Sequence, residues 1–245
     1  MRVIARLDVK GDSLIKGVRF EGLRRLGNPA EVARRYASFV DELFFVDTVA
    51  SLYGRPQVAE LLESVASEIF VPLTVGGGIT TILEAERMFK LGADKVAINT
   101  AGFGAPELFH EIAKNFGLQS VVGSIQANKT ESGWECLTEQ GRERTHVSVN
   151  DRVRELLEIG IGEIIVTSVD RDGTRNGFDL ELLEQVLQFS NVPVVIGGGC
   201  GSLEHLETLR PYETLSGVAL ASSLHYELID QDQIRRWRNC EDRRL

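Results

Sequence analysis

The residues able to do chemistry in this chain sit at the ends of short apolar runs. Val3-Ile4-Ala5-Arg6-Leu7 runs into Asp8, and Glu42-Leu43-Phe44-Phe45-Val46 runs into Asp47. Two further runs end in glycine triplets, Gly76-Gly77-Gly78 and Gly197-Gly198-Gly199. A strand that breaks into three glycines before a helix leaves several N–H groups facing outward, where the helix dipole favours an anion and no Cβ blocks approach. Asn99-Thr100 and Ala221-Ser222-Ser223 close two more runs with small polar residues suited to the same ligand. Asp8 and Asp172 are carboxylates of the kind that carry general acid and base work. Gln126, Thr167 and Gly173 stand at comparable points along the chain.

These groups must be positioned by a repeat. The triplets begin 121 residues apart, and so do Glu42-Leu43-Phe44-Phe45-Val46 and Glu163-Ile164-Ile165-Val166-Thr167. The first strand, ending at Asp8, pairs with Val121-Val122-Gly123-Ser124-Ile125-Gln126 at a spacing of 118. Two halves of four strand–helix units each predict an α/β fold, a single (β/α)8 TIM barrel of residues 1–245. The half-barrels cover about 1–117 and 118–226, with a C-terminal helix over 230–240. In such a barrel the C-terminal strand ends surround one mouth, so the triplets face each other across it. That suits an elongated substrate with a phosphate at each end.

Along the chain, residues 2–8 read as a buried strand. Lys10 to Asn28 has four glycines and no helical period, and reads as a long functional loop that brings Lys16-Gly17 and Arg19 to the mouth. Asn28-Pro29-Ala30-Glu31 is a helix start, with a capping residue followed by proline at the first helical position. Helices are expected after Gly54-Arg55-Pro56, over 81–91, 106–115 and 179–189, from near Val149, after Ser202, and in the basic tail Gln231–Asn239. Gly133–Thr138 reads as one arm of a hairpin inside an inserted polar segment.

Composition bounds the ligand. With 27 Lys and Arg against 36 Asp and Glu, net charge is −9, which argues against a nucleic-acid or membrane surface and requires any anion to be held locally. Three scattered cysteines, Cys136, Cys200 and Cys240, point to a reduced, cytoplasmic protein. No signal peptide or membrane-length apolar run is read. The four histidines lack metal spacing, so neither metal nor cofactor is expected.

The whole chain resembles the cyclase subunit of imidazole glycerol phosphate synthase, the HisF family. The matching pieces include Leu7-Asp8-Val9-Lys10, Lys16-Gly17-Val18, Thr74-Val75-Gly76-Gly77-Gly78-Ile79 and Gly92-Ala93-Asp94-Lys95-Val96. Ile98-Asn99-Thr100, Thr167-Ser168-Val169-Asp170-Arg171-Asp172-Gly173-Thr174 and Phe178-Asp179-Leu180-Glu181 complete the set. The Asp-Arg-Asp-Gly-Thr block favours this family over the sister isomerase, HisA. The resemblance implies a lyase of histidine biosynthesis, in which ammonia from a glutaminase partner (HisH-like) passes through the barrel to the phosphorylated substrate PRFAR. It gives Asp8, Lys16 and Asp172 catalytic roles. Gly77, Gly78, Asn99, Thr100, Thr167, Gly173, Gly198, Gly199, Ala221 and Ser222 become substrate and phosphate contacts. Arg2, Glu42, Lys95 and Glu163 match the family's charged ammonia entrance at the N-terminal face, where the glutaminase docks.

Gln126 departs from the family pattern. It occupies the place of the second catalytic aspartate, and an amide cannot transfer a proton at neutral pH. Loss of a general acid typically costs about a hundredfold to ten-thousandfold in rate. Arg6 and Arg19 also add positive charge where the family is small or amide-bearing. Three readings therefore stand: the cyclase itself, a paralogue supplying ammonia to a sugar amidotransferase in surface-polysaccharide synthesis, and a non-catalytic scaffold for the glutaminase. Ser51-Leu52-Tyr53-Gly54-Arg55 resembles the paralogue's version of its loop.

Overall fold

The structure is a computed structural model that describes the backbone of residues 1–50 and 58–242, and the side chains of these as far as 238. The Ser51–Arg55 resemblance and the lead-in at Gly54-Arg55-Pro56 lie outside the described residues, as does the side chain of Cys240.

Eight parallel strands close on themselves in the order β1 (Arg2–Lys10), β4 (Glu42–Asp47), β5 (Leu73–Gly76), β6 (Lys95–Ile98), β7 (Val121–Thr130), β10 (Glu163–Ser168), β11 (Val194–Gly197) and β12 (Leu215–Leu220), which returns to β1. The closing register sets Arg2 opposite Gly217 and Ala5 opposite Leu220. The sequence makes this arrangement because the strands are apolar on both faces, as a sheet covered outside by helices and filled inside must be. Ile4, Phe44, Val46, Ala97, Val122, Ile165, Val195 and Ala219 pack one interior cluster. Alternate residues of the same strands join the larger core under the helices.

That outer layer follows from capping. Asn28 accepts hydrogen bonds from the backbone N–H groups of Ala30 and Glu31 to open α1 (Pro29–Ala37). Next comes α2 (Val58–Val65). Thr81 and Glu84 form a reciprocal capping box at α3 (Ile82–Lys90), and Gly92 follows with φ +102°. The remaining helices are α4 (Ala101–Gly104), α5 (Glu107–Phe116), α6 (Val149–Ile159), α7 (Leu180–Phe189), α8 (Leu203–Glu207), α9 (Ser222–His225) and α10 (Gln231–Asp242). No described helix is long and apolar enough to cross a membrane.

The sequence reading of Lys10–Asn28 needs correction. The first strand continues to Lys10, and the segment beyond it is an antiparallel hairpin, β2 (Ser13–Val18) and β3 (Glu21–Gly27), with β2 paired back onto β1. Its glycines hid the strand period: Gly17 and Gly22 sit at the turn and Gly27 at the exit. The expected hairpin arm at Gly133–Thr138 is β8, which joins β7 to β9 (Glu143–Ser148). Both half-barrels thus carry a hairpin after their first strand.

The candidate active site

The two triplets reproduce one another in detail. Gly77 and Gly198 have φ of +92° and +91°, in the left-handed region that favours glycine. A Cβ on Gly77 would lie 2.1 Å from the Asp47 carbonyl oxygen, and one on Gly198 would lie 2.8 Å from that of Ser168. Asp47 and Ser168 are themselves 121 residues apart. The short helices α4 and α9, each four residues long and each just past a strand end, stand at the same spacing. Because β5 and β11 are four places apart in an eight-strand ring, the triplets lie on opposite sides of one mouth.

A cavity of about 160 Å³ opens beside the first triplet, bounded by Arg6, Phe44, Gly77, Asn99, Ser124 and Gln126. The Asn99 side chain donates to the Leu137 carbonyl at 3.0 Å, and the Thr100 hydroxyl accepts from the Glu139 N–H at 3.1 Å. These two expected phosphate contacts are therefore held by the β8–β9 hairpin. Asn99 Oδ1 is buried without a hydrogen-bond partner. Across the mouth, Ser222 is buried at the start of α9 and Ala221 caps it.

Between the triplets lies a buried network of four charges. Lys16, carried in by β2, donates to Asp8 at 3.1 Å and to Asp172 at 2.7 Å. Arg6 Nε donates to the other Asp8 oxygen at 2.8 Å, and Arg6 Nη1 to the Thr167 hydroxyl at 3.2 Å. Burial alone would raise the Asp8 pKa, but Arg6 and Lys16 outweigh it and hold the carboxyl well below the usual range. Burial likewise opposes charge on Lys16, and Asp8 and Asp172 outweigh it and push the ammonium upward. Asp8 is thus a fixed carboxylate while Lys16 is seated. It holds no proton to give in this arrangement, which suits the base side of the acid or base work expected of it from the sequence. The physical reason is the pair of cations that β1 and β2 place on it.

The hairpin is latched over this network. The Arg19 N–H donates to the Asp172 carbonyl at 2.8 Å. Phe20 packs with Leu137 and Val169, so residues from the two hairpins and from the loop after β10 share one apolar cluster. A Cβ on Gly173 would lie 2.3 Å from the Gly17 carbonyl, which gives that glycine a packing role under the hairpin. Arg6 lies within cation–π range of Phe20 and Phe44, with guanidinium-to-centroid distances of 5.4 and 5.8 Å.

At the opposite end, all four expected charges meet. Arg2 reaches Glu42 at 2.7 Å and also pairs with Glu163. Lys95 reaches Glu42 and Glu163, each at 2.7 Å. Thr74 adds a hydroxyl hydrogen bond to Glu42. Position in a parallel strand explains the ring: each residue opens its strand with its side chain inward, below the apolar interior cluster.

Sequence reasoning passed over His225 and Tyr36. Tyr36 from α1 and Nδ1 of His225 from α9 are 3.0 Å apart in a hydrogen bond. Burial pushes the imidazole down to about 4, against a partial pull upward from Asp8. Nothing in the local sequence marks this pair, because its partners are 189 residues apart.

Comparison with known proteins identifies the family. A family model described as "Histidine biosynthesis protein" matches residues 2–230. The chain is 52% identical to the imidazole glycerol phosphate synthase subunit HisF of Legionella pneumophila, over 83% of this chain and 97% of the relative. It is 38% identical to that of Natranaerobius thermophilus, over 96% of this chain and 94% of the relative. For the Lactococcus lactis subsp. cremoris protein of the same name, identity is 41% over 96% and 92%. The chain belongs to the HisF family. The shared name does not favour the sugar-amidotransferase reading.

Proposed function

We propose that this chain is the cyclase subunit of an imidazole glycerol phosphate synthase, an ammonia-dependent carbon–nitrogen lyase of histidine biosynthesis. It takes a bis-phosphate ribulosyl formimino substrate (PRFAR) and releases imidazole glycerol phosphate and an aminoimidazole carboxamide ribotide. The observation that carries the reading is the duplicated pair of glycine nests across one mouth, in a chain of this family. Each nest presents backbone N–H groups where a phosphate needs them.

In this account Gly77, Gly78, Asn99 and Thr100 hold one phosphate. Gly198, Gly199, Ala221 and Ser222 hold the other. Thr167 and Gly173 line the centre. Lys16, seated between Asp8 and Asp172, closes the hairpin over the substrate. When a substrate draws Lys16 away, Asp8 loses one of its two cations and becomes a better proton acceptor. Asp8 then serves as base while ammonia attacks. Ammonia is supplied by a glutaminase subunit docked at the N-terminal face, and enters by the ring of Arg2, Glu42, Lys95 and Glu163. That ring offers polar contacts at the rim to a small neutral molecule, and the apolar interior above it excludes ammonium.

The test is turnover by the purified chain with the formimino substrate and ammonium chloride at pH 8, without any glutaminase. Formation of both products supports the reading. No turnover, restored by Gln126→Asp, would place the reaction elsewhere.

A further inference from the structure

Arg6 is a cation in a position the network does not need. Lys16 alone already bridges Asp8 and Asp172, and both acids keep a cation without Arg6. Arg6 nonetheless lies buried on the inner face of β1, two residues above Ile4 of the interior cluster, and borders the open cavity. Its Nε and Nη1 are engaged by Asp8 and Thr167, and among the described residues its Nη2 makes no hydrogen bond. Gln126 borders the same cavity, and its Oε1 is buried without a partner. A buried amide oxygen left unpaired is costly and calls for an explanation. A free donor and a free acceptor on two residues that line one cavity, beside the first anion nest, supply one.

We propose that Arg6 and Gln126 together bind the polar middle of the bis-phosphate substrate, Arg6 donating to a carbonyl or hydroxyl oxygen and Gln126 accepting from a hydroxyl or N–H. The pair sets which substrate this barrel takes. The assignment rests on the substrate reading above and adds two contacts to it. Guanidinium suits the task because its planar fork serves Asp8 on one edge and a ligand on the other, with charge that does not titrate. The stacking of Arg6 between Phe44 below and Phe20 on the hairpin above ties this contact to closure of the mouth.

The experiment measures binding without ammonia, by calorimetry, for the formimino substrate and separately for inorganic phosphate. The variants are Arg6→Gln, Arg6→Lys and Gln126→Leu. Arg6→Gln and Gln126→Leu are each expected to weaken substrate binding about tenfold or more, the effect of leaving one buried polar partner unpaired. Inorganic phosphate affinity should stay within about twofold, because the nests are untouched. Arg6→Lys keeps the charge and the pairing of Asp8 but loses the fork; a loss of about threefold or more supports the assignment, and it covers the case in which Arg6→Gln does not fold. Equal losses for both ligands would mean that Arg6 only holds the mouth together, and would overturn the proposal. Substrate affinity unchanged in the Arg6 variants would overturn it too. Binding that depends on Arg6 and Gln126 without turnover fails the cyclase reading alone, whereas turnover with binding indifferent to both fails this proposal alone. A wild-type chain that binds phosphate but not the substrate overturns both.

Discussion

Replacing Lys95 by methionine is the cleanest perturbation of the charge ring, because the side chain keeps its length and loses its ammonium. Lys95 is the shared partner of Glu42 and Glu163, and its own side chain is 13% exposed, against 2% and 5% for the two glutamates. Without it, two buried carboxylates depend on Arg2, whose side chain is 36% exposed. Breaking a buried ion pair typically costs about 3–5 kcal/mol, and partial exposure of the two cations favours the lower end of that range. For a chain of this size each kcal/mol moves Tm by about 2–4 °C, so a fall of roughly 6–12 °C is expected at pH 7. Scanning calorimetry of both proteins measures it. A Tm within 2 °C of wild type would show that the four charges are not coupled and refute the reasoning.

Three further outcomes follow from the same geometry. Lys16→Gln leaves Asp8 and Asp172 without their common cation, and should lower kcat by about a hundredfold or more while raising the pH at which the acidic limb of the rate profile falls. His225 is neutral when folded, with a pKa near 4 against an ordinary 6.5, so its contribution to stability is complete above pH 6.5 and is lost as pH falls toward 4. That shift corresponds to on the order of 3 kcal/mol, and His225→Gln should flatten urea-unfolding stability across this window. Gly77→Ala forces a Cβ against the Asp47 carbonyl at positive φ, and should destabilise by roughly 1–3 kcal/mol in chemical denaturation while abolishing phosphate binding at the first nest.

Much of this barrel was legible because the repeat is written twice. The spacing of 121 located both triplets, and the apolar run from Glu42 to Asp47 placed β4 at its observed bounds. It also carried further than sequence reasoning took it, since the same spacing relates α4 to α9 and the two carbonyls that exclude a Cβ. Those short helices were missed because Ala101–Gly104, with two glycines in four residues, shows no period at all. The β2–β3 hairpin was missed for a related reason: glycines at its turn and exit interrupt the alternation by which a strand is recognised. The site was legible as an inventory of groups but not as a set of pairings. That Lys16 sits between Asp8 and Asp172, 156 residues apart, depends on where one hairpin folds back, and no local signal encodes it. The consequence for Asp8, a carboxylate fixed in its charged form, follows only from those contacts. Arg6 was visible as an unusual charge beside Asp8, whereas its free edge toward the cavity required coordinates.

The central claim is that the two nests hold the two ends of one substrate across the mouth. It is tested most directly by a crystal structure of the chain soaked with the formimino bis-phosphate in the absence of ammonia. One phosphate is predicted within hydrogen-bond distance of the Gly77 and Gly78 backbone, and the other within reach of Gly198, Gly199 and Ser222, with the ligand spanning the centre above Arg6. A ligand anchored by only one nest, or bound away from the strand ends altogether, would contradict the account.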